Sequence, residues 1–232
     1  MRRSLLVCAS VAAFGAALVM TLPMRVALTW MGADRAGVSA AEVSGSIWNG
    51  RLRATQYHGA SLGDVEASLD PFALLLGTRR FAVQATLGKT TLVEGTSRGF
   101  EMADAAIEVE HLRPSLPLTG RLRLESATLL FSEDRCQRAE GRITTDVLQR
   151  AFGGPEVAGT LSCAGDAATA QLDGRAQDVE VSIVMRLDSA GRYQAETRIV
   201  STNPMVRGAL ALAGFTEDGG GFTRSDEGAL GT

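Results

Sequence analysis

The side chains able to do chemistry in this 232-residue sequence are few and widely spaced. Two histidines, His58 and His111, and the cysteines Cys136 and Cys163 make a nominal zinc set. No two of them have the short spacing that structural zinc sites show. His111 ends an alternating segment and His58 follows Tyr57 near a turn, which are positions of surface or edge residues. Two serines have G-x-S-x-G spacing, Ser61 (Gly59 to Gly63) and Ser97 (Gly95 to Gly99), but each lies between alternating runs with no helix to follow, so neither reads as a nucleophile elbow, and neither a Walker loop nor a dinucleotide fingerprint occurs. The run Gly219, Gly220, Gly221 follows Glu217 and Asp218 rather than a buried strand, so it reads as a loop tip, not a phosphate cradle. Glu108 with Glu110, and Glu133 with Asp134, have the residue types for acid and base work. The first pair alternates with Ile107 and Val109 as a solvated strand face does, and the second reads as a turn. The residues therefore predict no enzyme, no cofactor and no metal, although a site assembled from distant residues would leave no mark in the sequence.

The element that must position everything else is at the start. Residues 4–22 (SLLVCASVAAFGAALVMTL) hold no charge and are almost wholly apolar. As a helix they would be about 28 Å long, close to the hydrocarbon thickness of a bilayer. Arg2 and Arg3 precede the run and Arg25 follows it, a bias that keeps the N-terminus in the cytoplasm and sends the body across. We expect residues 1–25 to form a membrane anchor and residues 26–232 a periplasmic domain. A cleaved signal peptide is the competing reading, with Gly15, Ala16 and Ala17 as a small-residue site, but the apolar run continues beyond them. Residues 25–31, with Trp30, read as an interfacial collar or as the approach to a first strand.

Composition narrows the partners. Beyond Arg25 lie 20 basic and all 26 acidic residues, a net charge of −6, the wrong sign for duplex phosphates. No nucleic acid is expected, and no purely electrostatic grip on anionic lipid. Aromatic residues are only 5%, so the core must come from Leu, Val, Ile and Ala. Cys8 lies in the apolar run, whereas Cys136 and Cys163 lie in the exported body, where an oxidising compartment favours a disulfide between them over two buried thiols.

From Val38 onward the chain consists of short alternating runs bounded by glycine, the pattern of antiparallel β-structure. The clearest is Val179, Val181, Ile183, Met185 and Leu187, turning at 188–191 into Tyr193, Ala195, Thr197 and Ile199 to close a hairpin. Similar runs span 47–53, 62–69, 81–87, 90–94, 105–111, 121–131, 138–144, 157–163 and 169–172. Three segments break the rhythm: 70–77 (DPFALLLG), 146–153 (DVLQRAFG) and 203–214 (NPMVRGALALAG), each with helix-start and glycine-stop signals. A recurrent Gly-x-Leu/Ile, as at Gly50, Gly120, Gly141 and Gly159, marks bends or bulges that curl a sheet, or ordinary hairpin turns. The predicted fold is mainly β: an N-terminal transmembrane helix, then a large curved antiparallel sheet or open-barrel-like domain with two or three short helices.

The order of these elements resembles the protein N family of the type II secretion system. The matching text is VSGSIWNGRL (43–52), DPFALLLGTRRF (70–81), LPLTGRLRLESATL (116–129), AEGRI (139–143) and LALAGFTEDGGGFTRSDEGAL (210–230). The resemblance implies a non-catalytic, single-pass inner-membrane component that supports export of folded proteins and contacts other inner-membrane secretion-platform proteins. It brings no functional residues, because the family offers no catalytic motif to map. The alternative from another class is a lipid-handling envelope protein similar to AsmA or TamB, whose curved sheet presents an apolar groove to lipid. The two part on whether the oily sheet faces are covered.

Overall fold

The computed structural model describes residues 20–33, 37–57, 60–108 and 120–229. The anchor expected over residues 1–25 lies outside them as far as Val19, and among the described residues no helix is long and apolar enough to cross a membrane. The chain divides into two compact units, with the boundary between Thr86 and Leu87.

The first unit runs α1 (Met24–Met31), β1 (Val38–Ser39), β2 (Glu42–Ser46), β3 (Asn49–Tyr57), β4 (Ala60–Leu69), α2 (Pro71–Leu75) and β5 (Arg79–Ala85). Its antiparallel strands order as β1-β3-β4-β5, and β2 shares with β1 one edge of β3. The strand approach read as one alternative at residues 25–31 is corrected: this segment is the helix α1. Met24, Ala27 and Leu28 recur at helical spacing and pack against Leu52 and Val65 or against Ile47 and Leu69, while Trp30 stays exposed. Gly50 makes that packing possible, since a Cβ there would lie 2.7 Å from the Met24 Cγ.

The second unit runs β6 (Gly88–Glu94), β7 (Arg98–Glu108), β8 (Arg121–Ser132), β9 (Arg135–Thr145), α3 (Val147–Phe152), β10 (Val157–Ala164), β11 (Ala167–Ala176), β12 (Val179–Leu187), β13 (Arg192–Ser201), α4 (Pro204–Leu212), β14 (Thr216–Asp218) and β15 (Gly221–Ala229). Neighbours in sequence pair antiparallel in order until the end, where β15 lies between β13 and β14. The predicted hairpin holds in register from Val179 against Ser201 to Leu187 against Tyr193. Two expectations need correcting. Four short helices are described where two or three were expected, α1 being the addition. The strands β14 and β15 were unanticipated, because the alternation Arg224, Asp226 against Ser225, Glu227 carries no oily face; β15 is held by its backbone ladder to β13 and by buried Phe222. Gly219 and Gly220 do form the turn tip between these two strands.

The sheet of the second unit curls. Asp134, in the turn from β8 to β9, accepts a hydrogen bond from the Ser189 hydroxyl, in the turn from β12 to β13, at 3.0 Å. In a flat sheet β9 and β12 would stand roughly 14 Å apart. One bulge arrangement recurs three times, once in the first unit and twice in the second. At each bulge two residues oppose one, and the residue opposed supplies a side-chain oxygen to a backbone N–H that the ladder has released. Asp64 accepts from Ala54 at 3.1 Å, Thr128 from Met102 at 3.2 Å and Asp104 from Ser126 at 2.7 Å. Ala54, Met102 and Ser126 all adopt left-handed backbone angles, with φ of 47°, 51° and 48°. On the far side of β8 the same bulge faces Gly141, whose absent Cβ would otherwise lie 2.5 Å from the Ala127 Cα.

One core of this unit gathers Val157, Leu172, Val181, Ile199 and Phe222 from five strands under Leu210 of α4, with Leu148 of α3 beside them. A second, at the other end of the strands, gathers Leu129, Phe131 and Ala168 with Phe100 and Cys136.

Candidate functional site

The residues singled out for chemistry do not come together. His58, His111 and Glu110 lie outside the described residues. Among the described residues no cluster of His, Cys, Asp and Glu has metal-site geometry. Glu108 faces Arg121 across the β7–β8 ladder at 3.8 Å. Asp134 is held by Arg98 at 2.8 Å and by Ser189, and Glu133 sits beside it in a left-handed turn. Cys136 and Cys163 are joined, with Cα atoms 5.5 Å apart. The β9–β10 ladder runs from Thr145 against Val157 only to Arg142 against Thr160, and the disulfide ties the two strands beyond the point where their pairing stops.

Two carboxyls are held below the usual carboxylate range. For Asp146 the first cause is the Arg121 N–H it accepts, offset in part by desolvation and reinforced by Arg150. This corrects the expected role of Asp146 as a cap: it stands at the start of α3 but its side chain makes no cap hydrogen bond, having turned to β8 instead. For Asp188 the causes are the N–H and then the guanidinium of Arg192, which close the β12–β13 turn. Both carboxyls are structural and ionised, so neither is poised as a general acid or base near neutral pH.

Among the described residues two recesses and one protrusion stand out. In the first unit Arg51, Arg53, Asp64 and Glu66 surround an open polar recess of about 380 Å³. Its charges are already matched, Arg51 with Glu66 at 2.6 Å and Arg53 with Glu42 at 3.4 Å. In the second unit α4 and α3 enclose an apolar recess of about 300 Å³ with Val181 and Ile199 at its floor. Asn203 is the polar side chain in its lining, and its Oδ1 is occupied in capping α4, accepting from the Met205 N–H at 3.0 Å. This is the place where a lipid-handling role would seat an apolar group, and its volume is at the low end of small-molecule sites. Its lining holds no titratable side chain.

The protrusion is α2. Asp70 accepts from the N–H groups of Phe72 and Ala73, Pro71 starts the turn, and Gly77 at φ 78° ends it, as the sequence predicts. Only Ala73 turns inward. Phe72, Leu75 and Leu76 are 76%, 83% and 84% exposed, so this turn presents apolar surface that nothing among the described residues covers. Sequence reasoning located the helix but not its exposure, which depends on which strands lie beneath it.

The family model for protein N of the type II secretion system matches residues 36–225. A curated relative, the type II secretion system protein N of Vibrio cholerae serotype O1, is 27% identical over 197 residues, covering 77% of this chain and 78% of the relative. No solved structure matches significantly.

Proposed function

The chain belongs to the type II secretion system protein N family, and from that premise we propose that it is a non-catalytic, inner-membrane-anchored component of the machinery, with its strand-built body in the periplasm. The family match over residues 36–225 carries the reading. The uncharged run at residues 4–22, with Arg2 and Arg3 before it, supports the anchor and its orientation. The Cys136–Cys163 disulfide suits an oxidising compartment.

The partners proposed are other inner-membrane proteins of the secretion platform. Crosslinking in intact membranes should capture them, and deletion of the gene should leave folded exoproteins behind in the periplasm. Normal exoprotein in the medium of the deletion strain, or capture of phospholipid with no secretion protein, would remove this reading.

A further inference from the structure

We propose that α2 and the residues following it form a second membrane contact, inserting Phe72, Leu75 and Leu76 into the interfacial layer of a phospholipid bilayer. The proposal rests on the reading that residues 4–22 anchor the chain. The turn is built to hold these side chains out. Asp70 caps its start, and Leu76 and Thr78 return their N–H groups to carbonyls within it, at 3.1 Å and 3.0 Å from the Ala73 oxygen. The exposure is therefore a feature of an ordered turn, and three large apolar groups on so short a segment make a surface that water disfavours.

Its position names the occupant. The Ile47 N–H donates to the carbonyl of Leu22, the last residue of the apolar run, at 3.1 Å, and the Leu69 N–H donates to the carbonyl of Ile47 at 2.9 Å. Asp70 follows at once, so the exit of the run and the entry to α2 are separated by a single residue of intervening backbone. Leu22, Ile47, Leu69 and Phe81 pack into one cluster beneath both. The described end of the run, at Leu22, and the exposed turn stand at the same edge of the unit. From Pro71 to Arg80 the sequence has no acidic residue and ends in Arg79 and Arg80, both exposed, which matches an apolar tip with cationic groups at phosphate level. A turn this small binds a bilayer weakly by itself. With the chain already tethered beside it the insertion becomes intramolecular, and weak affinity suffices. Two contacts instead of one would hold this unit at a set tilt to the membrane instead of letting it swivel on a single span.

The test uses the full chain with Cys8→Ala, in vesicles of phosphatidylethanolamine and phosphatidylglycerol. An environment-sensitive fluorophore is attached at Leu75→Cys or, as the control, at Gln56→Cys, which lies at the opposite end of the β3–β4 pair. Nitroxide carried on the lipid chains should quench the label at position 75 severalfold more than at position 56, and iodide in the buffer should do the reverse. Equal quenching at the two positions would overturn the proposal. So would a label at 75 shielded from both quenchers, which would mean that protein covers the turn. A chain that floats with vesicles while position 75 stays open to iodide keeps the anchor and sinks the second contact. A chain that does not float removes the anchor reading and the proposal with it.

Discussion

Thr55 and Thr128 are both 2% exposed and both sit at β-bulges, yet their hydroxyls have opposite standing. Thr128 accepts the N–H that the bulge at Met102 releases, whereas the Thr55 Oγ1 is buried with no hydrogen-bond partner among the described residues. Thr128→Val should therefore cost about 0.5–1.5 kcal/mol, because a part-buried N–H loses its acceptor. Thr55→Val should be neutral or stabilise by up to about 1 kcal/mol, because it removes a hydroxyl that was desolvated for nothing. Denaturant unfolding of the full chain in detergent checks both, and a loss of similar size from the two substitutions would refute the assignment. Asp146 supplies a pH test. Its folded-state pKa is depressed, so its stabilisation is complete above the unfolded carboxyl value of about 4 and is lost as pH falls through and below that value. Asp146→Ala should be less stable than the parent at neutral pH and should converge with it in acid. A gap that stays constant with pH would exclude the Arg121 and Arg150 contacts as its origin.

At the scale of elements, the Cys136–Cys163 bridge ties β9 to β10 past the end of their ladder. Both thiols should resist alkylation until a reductant is added, and Cys136→Ser should lower stability by about 3.5 kcal/mol in the chain-entropy account of a loop this long. Ready labelling of the unreduced native protein would remove the bridge. Leu210 joins α4 to five strands, so Leu210→Ala should cost about 2–5 kcal/mol and loosen the recess beneath the helix. Retention of full stability would show that α4 only rests on the sheet. Elements were legible where a local signal existed. The alternation at Val179 to Leu187 and the Asn203, Pro204 start of α4 predicted what the structure contains. β15 was missed because its place depends on β13, which begins about thirty residues earlier in the chain, and α1 because its apolar spacing is short and adjoins a longer apolar run.

For the whole molecule, the proposed topology makes a direct prediction: a reporter joined after Thr232 should be active only outside the cytoplasm. Activity of a cytoplasmic reporter at that position would reverse the orientation. The sequence by itself determined the family, the mainly β character, the apolar run at residues 4–22 and the candidate pair Cys136 and Cys163, because each is written in local composition, period or motif order. Tertiary structure decided what no window of residues contains. It set which carboxylate opposes which bulge, that Asp146 accepts the Arg121 N–H of β8 instead of an N–H of its own helix, and that Leu22 and Leu69 both bond the backbone of one residue, Ile47. These are contacts between strands distant in sequence, and sheet register, with the bulges that shift it, brings them together.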